Sequence, residues 1–267
     1  MSCYYRRLGS DGPAAVFDST DYTRSNWTPE IQHGSPPLAL LTKAIEEMAA
    51  PGMRLGRLTL DILGAIPVTA VHVEARVDRP GNRIALLSAD MAAPRPDGAP
   101  RVVARVSAWA LAASDTADAV TDRHPPLVEG ISDPDLFPWK DAEGYVDSVQ
   151  WRPQTEASGG ASGDASVYWI KPLVGLVDDE PTTPLQRLAM VVDSANGVGA
   201  ALDPREFVFM NTDTTVHVHR LPIGDDFALR ARASIGPDGV GVTTAEIFDR
   251  YGFIGTSAQT LLVQRRA

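Results

Sequence analysis

The chain has 267 residues, 44% of them hydrophobic and 22% charged, which is the make-up of a globular protein with enough length for a sizeable core. A formal net charge of -10 and a pI near 4.9 exclude a general nucleic-acid binder, which needs a basic footprint. A lone cysteine, Cys3, excludes an intrachain disulfide and a Cys-based zinc site, and no apolar run reaches the ~18 residues of a membrane span. The single cysteine makes a reducing cytoplasm the expected location, and the first residues, MSCYYRRLGSDG, carry no apolar signal region.

Residues 4–8 and 14–17 predict short strands around the turn GSDGP. The run HGSPPLALLTKAIEEMAAPG then predicts a helix. Pro36 and Pro37 suit its first turn, Leu38, Leu41, Ile45 and Met48 recur at helical spacing, and Pro51-Gly52 stops it. Strands follow at 57–63, 71–77, 84–91 and 102–112. In 71–77, Val71, Val73, Ala75 and Val77 alternate with His72, Glu74 and Arg76. One helix followed by an antiparallel meander is not βαβ alternation. Residues 114–144 are acidic, Pro-bearing and aperiodic. They predict a linker held to the surface by Phe137 and Trp139.

The second half repeats this order. Strands are predicted at 145–152 and 166–171, with the flexible loop tip EASGGASGD between them. Thr183 then caps a helix with Pro184 at its first position. That helix carries LAMVVDSANGVGAAL across 188–202. Leu188, Val191, Val192, Ala195, Val198 and Leu202 make one face. Asp193, Asn196, Gly197 and Ala200 make another, small and polar, with room for a ligand or a close strand. An ionised carboxylate in such a stretch costs several kcal/mol to desolvate unless it is paired or hydrogen-bonded. Strands at 207–221, 227–234, 240–248 and 253–264 complete the half. Ile66-Pro67 aligns with Leu221-Pro222, and Ser107-Ala108-Trp109 with Ser257-Ala258-Gln259, with one loop-length difference between them. A duplication of this period means two copies of a domain rather than a solenoid.

The stretches VYWIKPLVGLVDDEPTTPLQRLAMVVDSANGVGAAL, NTDTTVHVHRLP and FIGTSAQTLLV resemble the second half of the bacterial acyl-CoA thioesterase II family and the broader thioesterase-like superfamily. HGSPPLALL sits where that family has its first central helix. The resemblance implies an α+β double hotdog fold, in which two tandem copies of a long central helix are each wrapped by an antiparallel β-sheet. The copies would be residues 1–113 and 145–267, joined by a linker at 114–144. The family's catalytic Asp falls on Asp193 and its catalytic Gln on Gln259. Its third polar residue, a Thr, aligns with Asn211, next to Thr212, which is a departure. The resemblance further implies an acyl-CoA substrate, no cofactor, and association into a homo-oligomer.

Thioester hydrolysis needs a positioned water, a group to take its proton, and donors for the developing oxyanion. Asp193 can take the proton, and Gln259 and Asn211 can hold the water. The N–H groups of Gly34 and Ser35, at a helix start, can polarise the carbonyl. His33 lies in the first half about where Asp193 lies in the second, and can line this site or a degenerate second one. Gly197 belongs to the small face that would wall the thioester. Strict alternation puts Asn211 with Asp213, Thr215, His217 and His219, and turns Thr212, Thr214, Val216 and Val218 toward the helix. Asn211 therefore reaches Asp193 only through a bulge or a strand end. His217 and His219 share a strand face, but no third ligand has telling spacing, so no metal is expected. Lys43, Arg57, Lys171 and Arg187 are candidates, by residue type, for the CoA phosphates.

The expected function is thus a thioesterase-like hydrolase that cleaves a fatty acyl-CoA by direct attack of a water oriented by Asp193, Gln259 and Asn211. The alternative is a non-catalytic acyl or acyl-CoA binding protein on the same fold. A hotdog hydratase or dehydratase would use an Asp and a His a few residues apart, and the central helices carry no such pair.

Overall fold

The structure, a computed structural model, describes residues 2–94, 98, 100–127, 143–154 and 165–266. Phe137, Trp139 and the EASGGASGD tip lie outside the described residues. The first part of the chain supplies β1 (Cys3–Asp11), β2 (Ala14–Ser19), α1 (Ser35–Met48), β3 (Met53–Ile62), β4 (Ala70–Arg79), β5 (Ile84–Pro94) and β6 (Pro100–Ala112). The second part supplies β7 (Val149–Pro153), β8 (Ser166–Pro172), β9 (Gly175–Val177), α2 (Pro184–Val192), α3 (Ala195–Val198), β10 (Phe207–Asn211), β11 (Asp213–Val218), β12 (Phe227–Ile235), β13 (Val240–Asp249) and β14 (Gly252–Arg265).

These strands form one sheet, ordered β7-β8-β12-β13-β14-β11-β3-β6-β5-β4-β2-β1-β9, with β10 paired to the far end of β14. At its middle β3 and β11 run antiparallel, Thr215 opposite Thr59. Outward from that seam the order is β6, β5, β4, β2 on one side and β14, β13, β12, β8 on the other. The short β9 is parallel to β1, so a second-half strand closes the first-half edge.

Period-2 patterning decides which strand faces turn inward. In β14, Ser257, Gln259, Leu261 and Val263 are buried, while Ala258, Thr260 and Leu262 face out. The helix α1 packs on β4, β5 and β6. Leu38, Leu40, Leu41 and Ile45 are fully buried there, each contributing about 1.5–3 kcal/mol. The helix α2 starts with a capping box, in which the Thr183 side chain accepts from the Gln186 N–H and the Gln186 side chain accepts from the Thr183 N–H. The two helices lie against each other. Thr183 and Gln186, at the start of α2, reach Glu46 near the end of α1. Asp193, just past the end of α2, reaches His33, just before α1. The helices therefore run in opposite directions.

Three expectations are corrected. The helix expected across 188–202 is broken at Asp193-Ser194. Tyr145 Oη donates to the Met190 carbonyl at 2.9 Å, and the Ser194 N–H turns back to Val191 at 3.1 Å. Gln259 Nε2 donates to the Asp193 carbonyl at 3.0 Å. Side chains from outside thus take the carbonyls that would continue the ladder. Second, His33 precedes one helix and Asp193 follows the other, so they are not repeat mates. Third, Trp109 does not occupy the inward position that Gln259 has. It is half-buried on the outer face, with the Arg57 guanidinium 5.9 Å from its ring centroid, and its inward neighbours are Ala108 and Ala110. Among the described residues no helix is long and apolar enough to cross a membrane.

Candidate active site

Asp193 is the centre of the site. It is only 4% exposed, and the break between α2 and α3 turns its carboxylate toward β11 and β14. Its two oxygens have different surroundings. Oδ1 accepts from Asn211 Nδ2 at 2.8 Å, from Gln259 Nε2 at 3.2 Å, and from the Thr214 hydroxyl. Thr214 Oγ1 in turn accepts from Gln259 Nε2 at 2.9 Å and from Asn211 Nδ2 at 3.3 Å. Three donors saturate that oxygen and offset the cost of burying the charge. Oδ2 faces the loop before α1, where His33 Nδ1 stands 3.8 Å away. A Cβ added to Gly34 would lie 2.4 Å from Oδ2, so only glycine leaves this oxygen room.

The register conflict at 211–219 is resolved by a break at Thr212. Its N–H donates to the Thr260 carbonyl, and its own carbonyl accepts from the Ile62 N–H, which separates β10 from β11. Asn211 thereby ends β10 pointing at Asp193, while Thr214, Val216 and Val218 face inward along β11. Thr214 is a site residue that sequence reasoning did not select. Its inward position was legible from the alternation, but its hydroxyl's partner was not. Thr212 is exposed, with its hydroxyl turned to Asp213 Oδ1 and the Thr260 carbonyl.

Beside the carboxylate lies a cavity of about 750 Å³. Asp193, Asn211, Thr212, Gly197, Gly34 and His33 line it. Gln259 and Thr214 lie behind Asp193, outside the lining. Ser35 is also outside: it is fully buried and its N–H donates to His33 Nδ1 at 3.1 Å, so it is not a free oxyanion donor. Pro36 and Pro37 remove two more donors from the start of α1. No described hydrogen bond takes up the Gly34 N–H. The buried Ile66, Tyr145, Val146 and Trp151 form the cavity's inner end, and exposed Arg205 and Arg266 flank its mouth. The four cations chosen by residue type are not in the lining. Lys43 is instead buried between Glu47 and Glu180, at 2.7 Å from each.

The His33 ring is stacked on Tyr145, with centroids 3.8 Å apart and planes 6° apart. Burial pushes its pKa below the ordinary value, against the opposing pull of Asp193. Burial likewise pushes the Tyr145 phenol up, keeping it the donor to Met190. The sequence showed no Asp and His close together on the helices. The fold brings such a pair together from the two halves. Among the described residues no group of three or more His, Cys, Asp or Glu could hold a metal ion.

Residues 23–111 match the family model of the acyl-CoA thioesterase N-terminal domain, and residues 121–263 that of the C-terminal domain. No curated protein matches the sequence. Among solved structures, the chain is similar to a conserved protein of unknown function with a hot dog fold from Alicyclobacillus acidocaldarius. That match has a TM-score of 0.70 at 17% identity and covers 97% of this chain and 95% of the other. It is similar to the acyl-CoA thioesterase II TesB2 from Mycobacterium marinum, with a TM-score of 0.65 at 11% identity over 98% and 96%. It is also similar to the dehydratase domain of RzxB from Pseudomonas fluorescens, with a TM-score of 0.55 at 11% identity over 98% and 97%. The fold is thus a hotdog fold.

Proposed function

The chain belongs to the acyl-CoA thioesterase family, and on that premise we propose that it hydrolyses a fatty acyl-CoA by direct attack of water. The observation that carries this reading is the asymmetry of Asp193. Oδ1 is held by Asn211, Thr214 and Gln259, while Oδ2 is left toward the cavity beside Gly34. A water at Oδ2 gives up its proton there as its oxygen bonds to the thioester carbon. The carbonyl electrons move onto oxygen, where the Gly34 N–H donates. Collapse of the tetrahedral species breaks the C–S bond and releases the CoA thiolate, which takes up the proton. Asn211, Thr214 and Gln259 act in this reading by fixing the carboxylate.

The acyl chain occupies the inner end by Ile66, Val146 and Trp151, and the CoA phosphates lie at the mouth near Arg205 and Arg266. The matching strand order on either side of the β3–β11 seam supports two tandem hotdog copies, 1–113 and 145–267, joined through 114–144. A cytoplasmic homo-oligomer without a cofactor belongs to the same reading.

The test is thiol release across a panel of short to long acyl-CoAs. Asp193→Asn is expected to lower turnover by about 10³-fold or more while circular dichroism stays unchanged. Full turnover in that variant refutes the proposal. Tight binding of acyl-CoA by the wild type without CoA release selects the non-catalytic binding alternative.

A further inference from the structure

The proposed hydrolysis leaves His33 without a part, although it lines the cavity next to Asp193. Two contacts fix it, and one ring nitrogen is left over. Its ring is stacked on Tyr145, whose own hydroxyl is held by the Met190 carbonyl and lies 2.8 Å from Ser194 Oγ. Its Nδ1 accepts the Ser35 N–H at 3.1 Å. Its remaining nitrogen, Nε2, takes part in no hydrogen bond among the described residues, and His33 lines the cavity beside Asp193.

An N–H already occupies the Nδ1 lone pair, so the ring proton of the neutral imidazole sits on Nε2. Nδ1 at 3.8 Å from Asp193 Oδ2 is then a second acceptor facing an acceptor, not half of an ion pair. The titratable groups that face the ring are Asp193 and Tyr145. The ring's one donor is therefore Nε2–H, on a residue that lines the cavity together with Asp193.

We infer that His33 is a catalytic electrophile: its Nε2–H donates to the carbonyl oxygen of the bound thioester and stabilises the oxyanion as water adds. This rests on the hydrolytic reading above. It assigns the second donor of an oxyanion site in which Pro36 and Pro37 leave the start of α1 short of N–H groups. An imidazole beside a carboxylate can also act as a base toward a proton α to a carbonyl, which is the chemistry of hydration and dehydration. That role needs a free lone pair on Nε2, and the Ser35 N–H on Nδ1 works against it.

The substitution His33→Phe keeps the stack on Tyr145 and removes both nitrogens. It is expected to lower kcat for thiol release by about 10²- to 10³-fold with little change in KM. His33→Gln, whose amide can reach the Nε2 position, is expected to recover part of that loss. On the wild type, ¹⁵N NMR should show a His33 ring protonated at Nε2. Its Nε2 signal should shift when a ketone analogue of acyl-CoA binds, with a methylene in place of the thioester sulfur. This readout stands even if His33→Phe does not fold.

Wild-type kcat in a folded His33→Phe, or a ring protonated at Nδ1, overturns the assignment. So does water loss from a 3-hydroxyacyl-CoA by the wild type that His33→Phe abolishes. Those results leave the hydrolytic reading intact if Asp193→Asn is dead. Full turnover by Asp193→Asn removes both.

Discussion

Each end of the α1–α2 pair holds a carboxylate that accepts from a hydroxyl and a side-chain amide. At one end Asp193 Oδ1 takes Thr214, Gln259 and Asn211; at the other, Glu46 Oε2 takes Thr183 Oγ1 at 2.8 Å and Gln186 Nε2 at 2.7 Å. The difference lies in what the second oxygen meets. Asp193 Oδ2 faces a glycine and a cavity of about 750 Å³. At the Glu46 end the cavity is about 220 Å³, and Lys43 and Glu47 line it while Glu46 does not. The donors to Glu46 come from the helix it packs against, so they fasten helix to helix. The donors to Asp193 come from strands and fasten the broken end of α2 to the sheet. A carboxylate clamped on one oxygen is therefore ordinary glue, and it becomes a candidate base only where the chain has cleared space at the other.

The strongest way to break this contrast is Gly34→Ala. The added methyl would stand 2.4 Å from Asp193 Oδ2 and displace the carboxylate or the water, so kcat/KM is expected to fall about 10²-fold without loss of fold. Thiol-release kinetics beside circular dichroism check it, and an active Gly34→Ala would show that Oδ2 is not the reacting oxygen. Next is Thr214→Val, which keeps shape and removes one donor from Oδ1. A hydrogen bond to a charged group contributes about 1.5–3 kcal/mol, so the expected loss in kcat is about 10- to 100-fold with KM little changed.

Smallest is Glu46→Gln, which sharpens the contrast from the other side. Burial raises the Glu46 carboxyl above its ordinary value near 4.5, with Thr183, Gln186 and Lys43 pulling the other way and Glu47 adding to the rise. A raised carboxyl stabilises the fold below its unfolded value, and that contribution is lost as pH rises through the folded one. Glutamine can still accept from Thr183 and Gln186, so the variant should match the wild type in kcat/KM. Its Tm should gain on the wild type as pH climbs above the ordinary carboxylate value near 4.5. Thermal melts across that range decide it; a constant Tm difference would mean that Glu46 is not titrating there.

Much of the site was legible because period and burial agree. Gln259 falls on the inward phase of β14 and Thr214 on that of β11, and both follow from counting alternate residues. The break at Thr212 was anticipated only as a necessity, since strict alternation turned Asn211 away from the helix that carries Asp193. The end of α2 was not legible. Asp193 and Ser194 are not strong helix breakers, and the ladder is opened by Tyr145 and Gln259, which arrive from distant parts of the chain. The meeting of His33 with Asp193 was hidden for a related reason. A repeat shows which residues occupy equivalent places, but not that two antiparallel helices bring the start of one against the end of the other. Trp109 shows the limit of short aligned words, since one step of register moved it to the opposite face of the sheet.

The parallel pairing of β9 with β1 has a consequence for how the protein is made. As the chain emerges from a ribosome, β1 to β6 can pair among themselves, but β3 waits for β11 and β1 waits for β9. For as long as it takes to add those residues, the nascent first half carries two open strand edges, the feature that most readily recruits another chain. Synthesis halted before residue 175 would leave both edges bare. Short fragments of this protein should therefore aggregate where the full chain does not.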